Sequence, residues 1–146
     1  MWPGYNSEGD LPVGVYQATL SDVIEHFGSG TPQRRIVGRR LARIFGLASS
    51  TGHLSRFIVF GSFVTSKPEP NDVDIFILME DSFDVSQVTG AASIVFRQST
   101  AQNWFGASIF WLRRFAAIGG EQAAIEDWQF KRDGTRRGIV EVISRD

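Results

Sequence analysis

The stretch RFIVFGSFVTSKPEPNDVDIFIL, residues 56–78, decides the fold prediction for this chain. Residues 56–61, RFIVFG, are an apolar run that ends in glycine, which is typical of a strand buried on both faces of a sheet. Residues 66–71, SKPEPN, hold two prolines and an asparagine and therefore predict a loop. Residues 72–79, DVDIFILM, predict a second buried strand. Two carboxylates, those of Asp72 and Asp74, therefore lie at the start of a strand that is predicted to be buried.

The two aspartates, Asp72 and Asp74, are the candidate catalytic and metal-binding residues. Alternate side chains of a strand share a face, so these carboxylates are expected about 6–7 Å apart along the chain. Two neighbouring anions repel unless a cation lies between them, and Mg²⁺ often binds one or two carboxylates together with water and phosphate oxygens. Gly61 and Ser62, at the end of the preceding strand, offer a bare backbone and a hydroxyl to a phosphate group.

A solvated turn is the competing interpretation of this segment. Asn71 and Asp72 are ordinary turn residues and by themselves indicate little. Asp74 favours a binding site, because it lies inside the apolar run, where an unpaired charge is costly. Lys67, in the loop, is a candidate mobile phosphate contact, with plain solvation as the alternative.

The Gly-Ser pair followed by Asp-x-Asp resembles the signature of the nucleotidyltransferase superfamily with the DNA polymerase β-like fold. Nine residues, 63–71, separate Ser62 from Asp72 here, and the family spacing is about ten. The resemblance covers roughly residues 31–112, and the whole chain is similar to small uncharacterised bacterial nucleotidyltransferase-like proteins. It implies that Gly61 and Ser62 contact the β- and γ-phosphates of a nucleoside triphosphate while Asp72 and Asp74 bind catalytic Mg²⁺, with Mn²⁺ as the alternative ion.

One position departs from the family pattern. Active relatives commonly add a third carboxylate from a later strand, and in the aligned segment GASIFWLRR, residues 106–114, Ser108 stands at that position. The sequence holds no Asp or Glu between Asp84 and Glu121, and Glu141 is the nearest substitute in kind. The sequence therefore leaves open whether the chain is an enzyme.

Three functions remain as hypotheses. The first is Mg²⁺-dependent transfer of a nucleoside monophosphate from a nucleoside triphosphate to a hydroxyl of a protein, an RNA or a small molecule. The second is a catalytically inactive nucleotidyltransferase-like binding module, for example the antitoxin that pairs with a protein toxin. The third is an RNA-binding domain that uses the basic helix containing Arg34 and Arg43.

The pattern of strands and helices along the chain predicts one α/β (α+β) domain. The family resemblance implies that its sheet is mixed and flanked by helices. Residues 1–18 are expected to be an irregular arm packed on the domain 19–146 through Leu11, Val13, Val15 and Tyr16. Capping signals and apolar periodicity predict helices at 20–27 and from Pro32 to about Ala48. Further helices are expected at 84–96 and 120–129, and further strands at 106–115 and 138–143.

Composition excludes several classes of protein. The 146 residues carry 15 basic and 16 acidic side chains, a net charge of −1, so no overall charge favours nucleic acid or anionic membrane. The chain has no cysteine, and no apolar run approaches the roughly 20 residues of a membrane span. Its start lacks the basic and apolar regions of a signal peptide, so a cytoplasmic protein without membrane attachment is expected.

The other polar and aromatic clusters have ordinary interpretations. A solvated helix face is favoured over an RNA-binding surface for the cluster Arg34, Arg35, Arg39, Arg40 and Arg43. Arg132, Arg136 and Arg137 flank an Asp-Gly turn and are expected in solvent unless the last strand lies beside the phosphate site. His26 and His53 lack partners at zinc-ligand spacing. Core packing is favoured over base stacking for Trp104, Phe105, Phe110 and Trp111.

Overall fold

The computed structural model describes residues 2–146, which form a five-stranded mixed sheet in the order β1-β5-β2-β3-β4. The two outer pairs, β1 with β5 and β3 with β4, are parallel, whereas β2 runs antiparallel to both of its neighbours. The strands are β1 Val15–Thr19, β2 Leu54–Phe60, β3 Val73–Met79, β4 Ala107–Arg113 and β5 Ile139–Ser144.

The two strands predicted from residues 56–78 are the centre of this sheet. Phe57, Ile58 and Val59 are fully buried in β2, and the side chains of β3 from Ile75 to Met79 are also buried. Apolar side chains on both faces explain the unbroken hydrophobic runs. The predicted strand, loop and strand are confirmed, as is the α/β (α+β) class with a mixed sheet and helices.

Helices cover both faces of the sheet unequally. The helices are α1 Leu20–Phe27, α2 Pro32–Ser50, α3 Gly90–Val95, α4 Gln98–Phe105 and α5 Glu121–Glu126. The larger core lies under α1 to α4, and the smaller core packs Ile125 of α5 against Ile58 and Phe76. The first two helices begin where their caps predict, because the Thr19 and Thr31 hydroxyls accept hydrogen bonds from backbone amides of the first turn.

The single helix predicted for residues 84–96 is wrong. Val85–Gln87 is a 3₁₀ turn, and α3 begins only at Gly90, whose φ of +65° interrupts any continuous helix. A second short helix, α4, was not predicted, and the left-handed Gly106 ends it before β4. The helix predicted at 120–129 is shorter than expected, since α5 ends at Glu126 and continues as a 3₁₀ turn.

The N-terminal arm is more regular than its sequence suggests. The prediction of an irregular segment is wrong for residues 15–18, because they belong to β1, which lies at one edge of the sheet and pairs with β5. Leu11 is fully buried, as expected, whereas Val13 is 51% exposed. The pairing partner lies more than 120 residues away in the sequence, so no local signal marks this strand.

The apolar surface includes one residue that was expected in the core. Trp104, on α4, is 68% exposed, so the prediction of core packing is wrong for this side chain. Phe105 is buried, and Trp111 packs against Phe83 and Phe96.

Within residues 2–146, no helix combines the length and the apolar character needed to cross a membrane.

Candidate functional site

A cleft of about 780 Å³ opens at the end of the sheet where β2 finishes and β3 begins. One wall consists of the ends of these strands and the loop between them. The opposite wall is the segment 128–137. Four of the five predicted site residues line the cleft: Gly61, Ser62, Lys67 and Asp74. Asp72, the fifth, directly precedes β3.

Gly61 and Asp74 are in direct contact inside the cleft. Phe60 pairs with Asp74 across the β2–β3 ladder, which brings the next residue, Gly61, against the carboxylate. Gly61 has a φ of +79°, and a Cβ at this position would overlap Oδ2 of the Asp74 carboxylate. Glycine is therefore required by both the backbone conformation and the space available.

Gly61→Ala is expected to lower the free energy of unfolding by about 2–4 kcal/mol, since backbone strain and overpacking both contribute. Gly52→Ala is the matched control, because Gly52 has a similar φ of +76° but nothing within 4 Å of its Cβ position. Urea unfolding of both variants measures the difference. Equal losses in the two variants would show that the contact with Asp74 carries no penalty.

The two carboxylates are close enough to influence each other's charge. Burial raises the pKa of Asp74 above its ordinary value, and the neighbouring Asp72 raises it further. The guanidinium groups of Arg137 and Arg132 lower the pKa of Asp74, but they do not compensate fully. Burial and the neighbouring carboxylate therefore both disfavour the ionised form of Asp74.

Ser108 lies beside Asp74, on the strand next to it in the sheet. The two residues are paired in the parallel β3–β4 ladder. The Ser108 hydroxyl donates to Gln102 Oε1 at 2.9 Å, and Gln102 Nε2 donates to Asp72 Oδ2 at 3.2 Å. Sequence reasoning missed Gln102 because it missed α4, the helix that carries it. A neutral amide and hydroxyl therefore support the aspartate pair on this side.

Glu141 is engaged elsewhere and does not replace the missing acid. Its carboxylate accepts two hydrogen bonds from Arg56, at 2.8 and 2.7 Å, and one from Gln17 at 3.3 Å. Burial pushes the pKa of Glu141 upward, but the hydrogen bonds from Arg56 and Gln17 outweigh it, and the pKa lies below its ordinary value. The Arg56–Glu141 pair joins β2 to β5, and the hydrogen bond from Gln17 adds β1.

Arg34 is a structural anchor of the cleft loop rather than a solvated residue. It is only 8% exposed, and its guanidinium donates to the carbonyls of Phe27, Phe63, Thr65 and Lys67. The prediction of a solvated helix face is therefore wrong for Arg34. A sequence signal exists, because Arg34 precedes Val37 by three residues and Leu41 by seven, which places it on the buried stripe.

The other basic residues of α2 are less buried. Arg35, Arg39 and Arg43 are exposed, and Arg40 is half-buried against Gly106. The surface available to the RNA-binding hypothesis therefore lacks Arg34 but retains three exposed arginines.

The first turn of α2 also holds the rest of the loop. The Thr31 hydroxyl donates to the carbonyl of Pro68 at 3.1 Å, and Gln33 Nε2 donates to that of Pro70 at 3.1 Å. Lys67 keeps its side chain exposed at the cleft while its backbone is tied to Arg34 and Thr65. The proline-rich loop is therefore fastened at several points, which its sequence alone does not indicate.

The opposite wall combines aromatic and basic side chains. The Trp128 ring lies 4.6 Å from that of Phe60 and 5.1 Å from that of Phe110, between ring centroids. Lys131, Arg132 and Arg137 add positive charge to the same wall. Residues 130–136 form a hairpin around the predicted Asp-Gly turn. Arg132 and Arg137 therefore line the cleft, whereas the Arg136 guanidinium lies over the Phe130 ring.

The two histidines have structural contacts. His26 stacks on Trp2 with ring centroids 5.1 Å apart, and His53 Nδ1 lies 3.2 Å from the Ser82 hydroxyl. Among residues 2–146, no group of three or more His, Asp or Glu side chains is arranged to hold a metal ion. A cation in the cleft would therefore depend on Asp72 and Asp74 together with oxygens of a ligand and of water.

Comparisons with known proteins give one match. A family model with the description "Family of unknown function (DUF6932)" matches residues 3–143, which is nearly the whole chain. No curated protein and no solved structure matches it. The matched range includes every residue that lines the cleft.

Proposed function

The chain belongs to the family of unknown function DUF6932, and we propose that it is a nucleotidyltransferase that uses the cleft between β2 and β3. Its substrate is a nucleoside triphosphate with Mg²⁺ or Mn²⁺, and its acceptor is a hydroxyl of a protein, an RNA or a small molecule. The observation that carries the proposal is the contact of Gly61 with Asp74, which sets a glycine backbone without a side chain against a carboxylate in one cleft.

The donor set fits a divalent cation of the Mg²⁺ type. Asp72 and Asp74 supply two carboxylates at one end of β3, and the pKa of Asp74 is raised by its burial and by Asp72. Mg²⁺ commonly takes one or two carboxylates and completes its coordination with water and substrate phosphates. When bound, such an ion would neutralise the carboxylates and draw charge from the reacting phosphate.

The chain's own residues have separate tasks in the proposed reaction. The acceptor oxygen forms a bond to the α-phosphorus, the bond from this phosphorus to the α–β bridging oxygen breaks, and pyrophosphate leaves. The Gly61 backbone, the Ser62 hydroxyl and Lys67 hold the β- and γ-phosphates and therefore the leaving group. The acceptor's proton passes to water, since Ser108 offers no carboxylate there.

Titration calorimetry with each nucleoside triphosphate and Mg²⁺ tests binding, and transfer of label from an α-labelled triphosphate to components of a cell lysate tests chemistry. Asp72→Asn is expected to weaken binding at least about tenfold and to remove the labelling, because a charge-assisted contact contributes about 1.5–3 kcal/mol. Glu25→Gln is the control, an exposed carboxylate on α1. Absence of triphosphate binding by the unaltered protein would exclude the proposal.

A nucleotide-binding module without catalysis is the second candidate function. Ser108 in the position of a third carboxylate, hydrogen-bonded to neutral Gln102, favours it. Such a module would bind a partner protein, for example a toxin, through the same fold. The same two measurements separate the candidates, since the module binds triphosphate but transfers no label.

A further inference from the structure

The N-terminal residues Gly9 and Asp10 connect the two walls of the cleft. The carbonyl of Gly9 accepts a hydrogen bond from the Ser66 amide at 2.8 Å, on the loop between β2 and β3. The Asp10 carboxylate contacts Lys131 and Arg137 on the opposite wall. A segment far from the site in sequence therefore joins both sides of it.

Asp10 is a buried carboxylate with two cationic partners. It is 4% exposed, its Oδ2 lies 2.9 Å from Lys131 Nζ, and its Oδ1 lies 3.3 Å from Arg137 Nη1. A buried charge is tolerated when it is paired and hydrogen-bonded. By contrast, Glu8 meets Lys131 at 3.4 Å with a side chain that is 65% exposed. Asp10 is therefore the residue that positions the side chains of Lys131 and Arg137.

Backbone contacts fix the base of the hairpin in the same place. The side-chain oxygen of buried Gln129 accepts from the Gly14 amide at 2.7 Å, and its carbonyl accepts from the Arg137 amide at 2.9 Å. The Gly138 amide donates to the carbonyl of Leu11 at 2.8 Å. The hairpin therefore cannot shift independently of the N-terminal segment.

The two paired cations retain donors for a ligand. Arg137 has five N–H donors and gives one nitrogen to Asp10, and Lys131 has three donors shared between Asp10 and Glu8. Arg132 is exposed beside them, and all three side chains line the cleft opposite Ser62 and Lys67. Basic groups on both sides of one cleft suit a ligand with several phosphates.

We propose that Lys131, Arg132 and Arg137 form a second phosphate-binding wall of the cleft, with Asp10 as the positioning residue that holds Lys131 and Arg137 in place. The ligand class is a polyphosphate, and the inference rests on the proposed function in identifying it with the triphosphate of a nucleotide. This wall adds further contacts to the β- and γ-phosphates that Gly61, Ser62 and Lys67 hold in the same cleft.

Binding of inorganic triphosphate in the absence of divalent metal isolates the wall from the chemistry. Arg132→Met is expected to weaken this binding about tenfold, the value of one charge-assisted contact, without affecting the fold because Arg132 is exposed. Asp10→Asn is expected to weaken it by a similar factor, and Asp10→Glu is expected to restore most of the loss. The matched control Glu8→Gln, an exposed partner of Lys131, is expected to change the affinity less than twofold.

The sign of the Asp10→Asn effect decides the inference. If Asp10 only neutralised the two cations, its removal would free them and tighten binding, whereas loss of a positioning residue weakens binding. In the transfer assay, Asp10→Asn is expected to raise KM for the triphosphate with little change in kcat. Tighter or unchanged triphosphate binding in Asp10→Asn, or unchanged binding in Arg132→Met, would overturn the wall.

Failure of the proposed function gives a different result. If the unaltered protein binds inorganic triphosphate in an Arg132-dependent manner but transfers no label, the phosphate-binding wall is supported and the proposed transfer reaction is excluded. If label is transferred and the KM for the triphosphate is the same in all variants, the phosphate-binding wall is excluded and the proposed transfer reaction is supported.

Discussion

Asp74→Asn is expected to abolish nucleotidyl transfer while raising the free energy of unfolding of the apo protein at neutral pH. The loss of activity follows because Asp74 lines the cleft and is one of the two carboxylates that would hold the divalent cation in the proposed reaction. The gain in stability follows because the ionised Asp74 is partly buried beside Asp72, and both features raise its pKa. In the proposed site, the Asp74 carboxylate lowers the stability of the protein without ligand, and a bound cation would neutralise this charge.

The pH dependence gives the sign of this effect. The folded-state pKa of Asp74 lies above the unfolded-state value, which is about 4. Between these two pKa values the folded state binds more protons than the unfolded state, so the stability of the unaltered protein falls as the pH rises. The Asn variant lacks this loss. Its advantage is therefore expected at pH 7–8 and is expected to disappear below about pH 4.

Urea unfolding at these pH values, with and without Mg²⁺ and nucleoside triphosphate, measures both halves of the prediction. Asp84→Asn is a contrasting control, because hydrogen bonds from the Ser86 hydroxyl and amide hold the pKa of Asp84 below its ordinary value. Ligand is expected to stabilise the unaltered protein and not the Asp74 variant. A variant less stable than the unaltered protein at pH 8 would contradict the electrostatic explanation.

Arg34→Met is expected to lower the free energy of unfolding by about 3–5 kcal/mol, because it leaves several buried carbonyl groups without a donor, at about 1–3 kcal/mol each. Methionine retains much of the length of the arginine side chain but none of its donors. Four carbonyls, of Phe27, Phe63, Thr65 and Lys67, then lose their hydrogen-bond donor. Because three of them belong to the cleft loop, triphosphate binding is expected to weaken as well.

Arg35→Met is the matched control for this prediction, since Arg35 is the next residue on the same helix and is exposed. Its effect on stability is expected to stay within about 0.5 kcal/mol. Thermal and urea unfolding of both variants give the comparison, and hydrogen exchange of the loop amides reports the loop directly. Equal stability of the two variants would show that Arg34 does not anchor the loop.

The parts of the structure that were predicted correctly have local signals. Residues 56–78 predict two strands and a loop, because unbroken apolar runs favour buried strands and prolines interrupt regular structure within a few residues. Thr19, Thr31 and Pro32 mark helix starts for the same reason. The site residues Gly61, Ser62, Lys67 and Asp74 come together in one cleft because only a short loop separates them.

The parts that were missed depend on contacts between distant segments. β1 exists through its pairing with β5, and its own sequence is mixed. Arg34 lies on the buried stripe of α2, but its partners are carbonyls of the loop after β2, which the helix sequence does not identify. Gln102 lies on α4, which a short turn separates from α3. Short helices with few apolar residues have weak intrinsic signals, so tertiary packing decides them.

By itself, the sequence determined the central strands, the capped helices and the Gly-Ser and Asp-x-Asp residues that mark one wall of the cleft. Only the tertiary structure decided that Arg34 anchors the loop, that Ser108 and Gln102 stand beside the aspartates, and that Asp10 holds the opposite basic wall. The physical reason is range. Backbone conformation and hydrophobic periodicity act between near neighbours, whereas the pairing of buried charges depends on which distant segments the fold brings together.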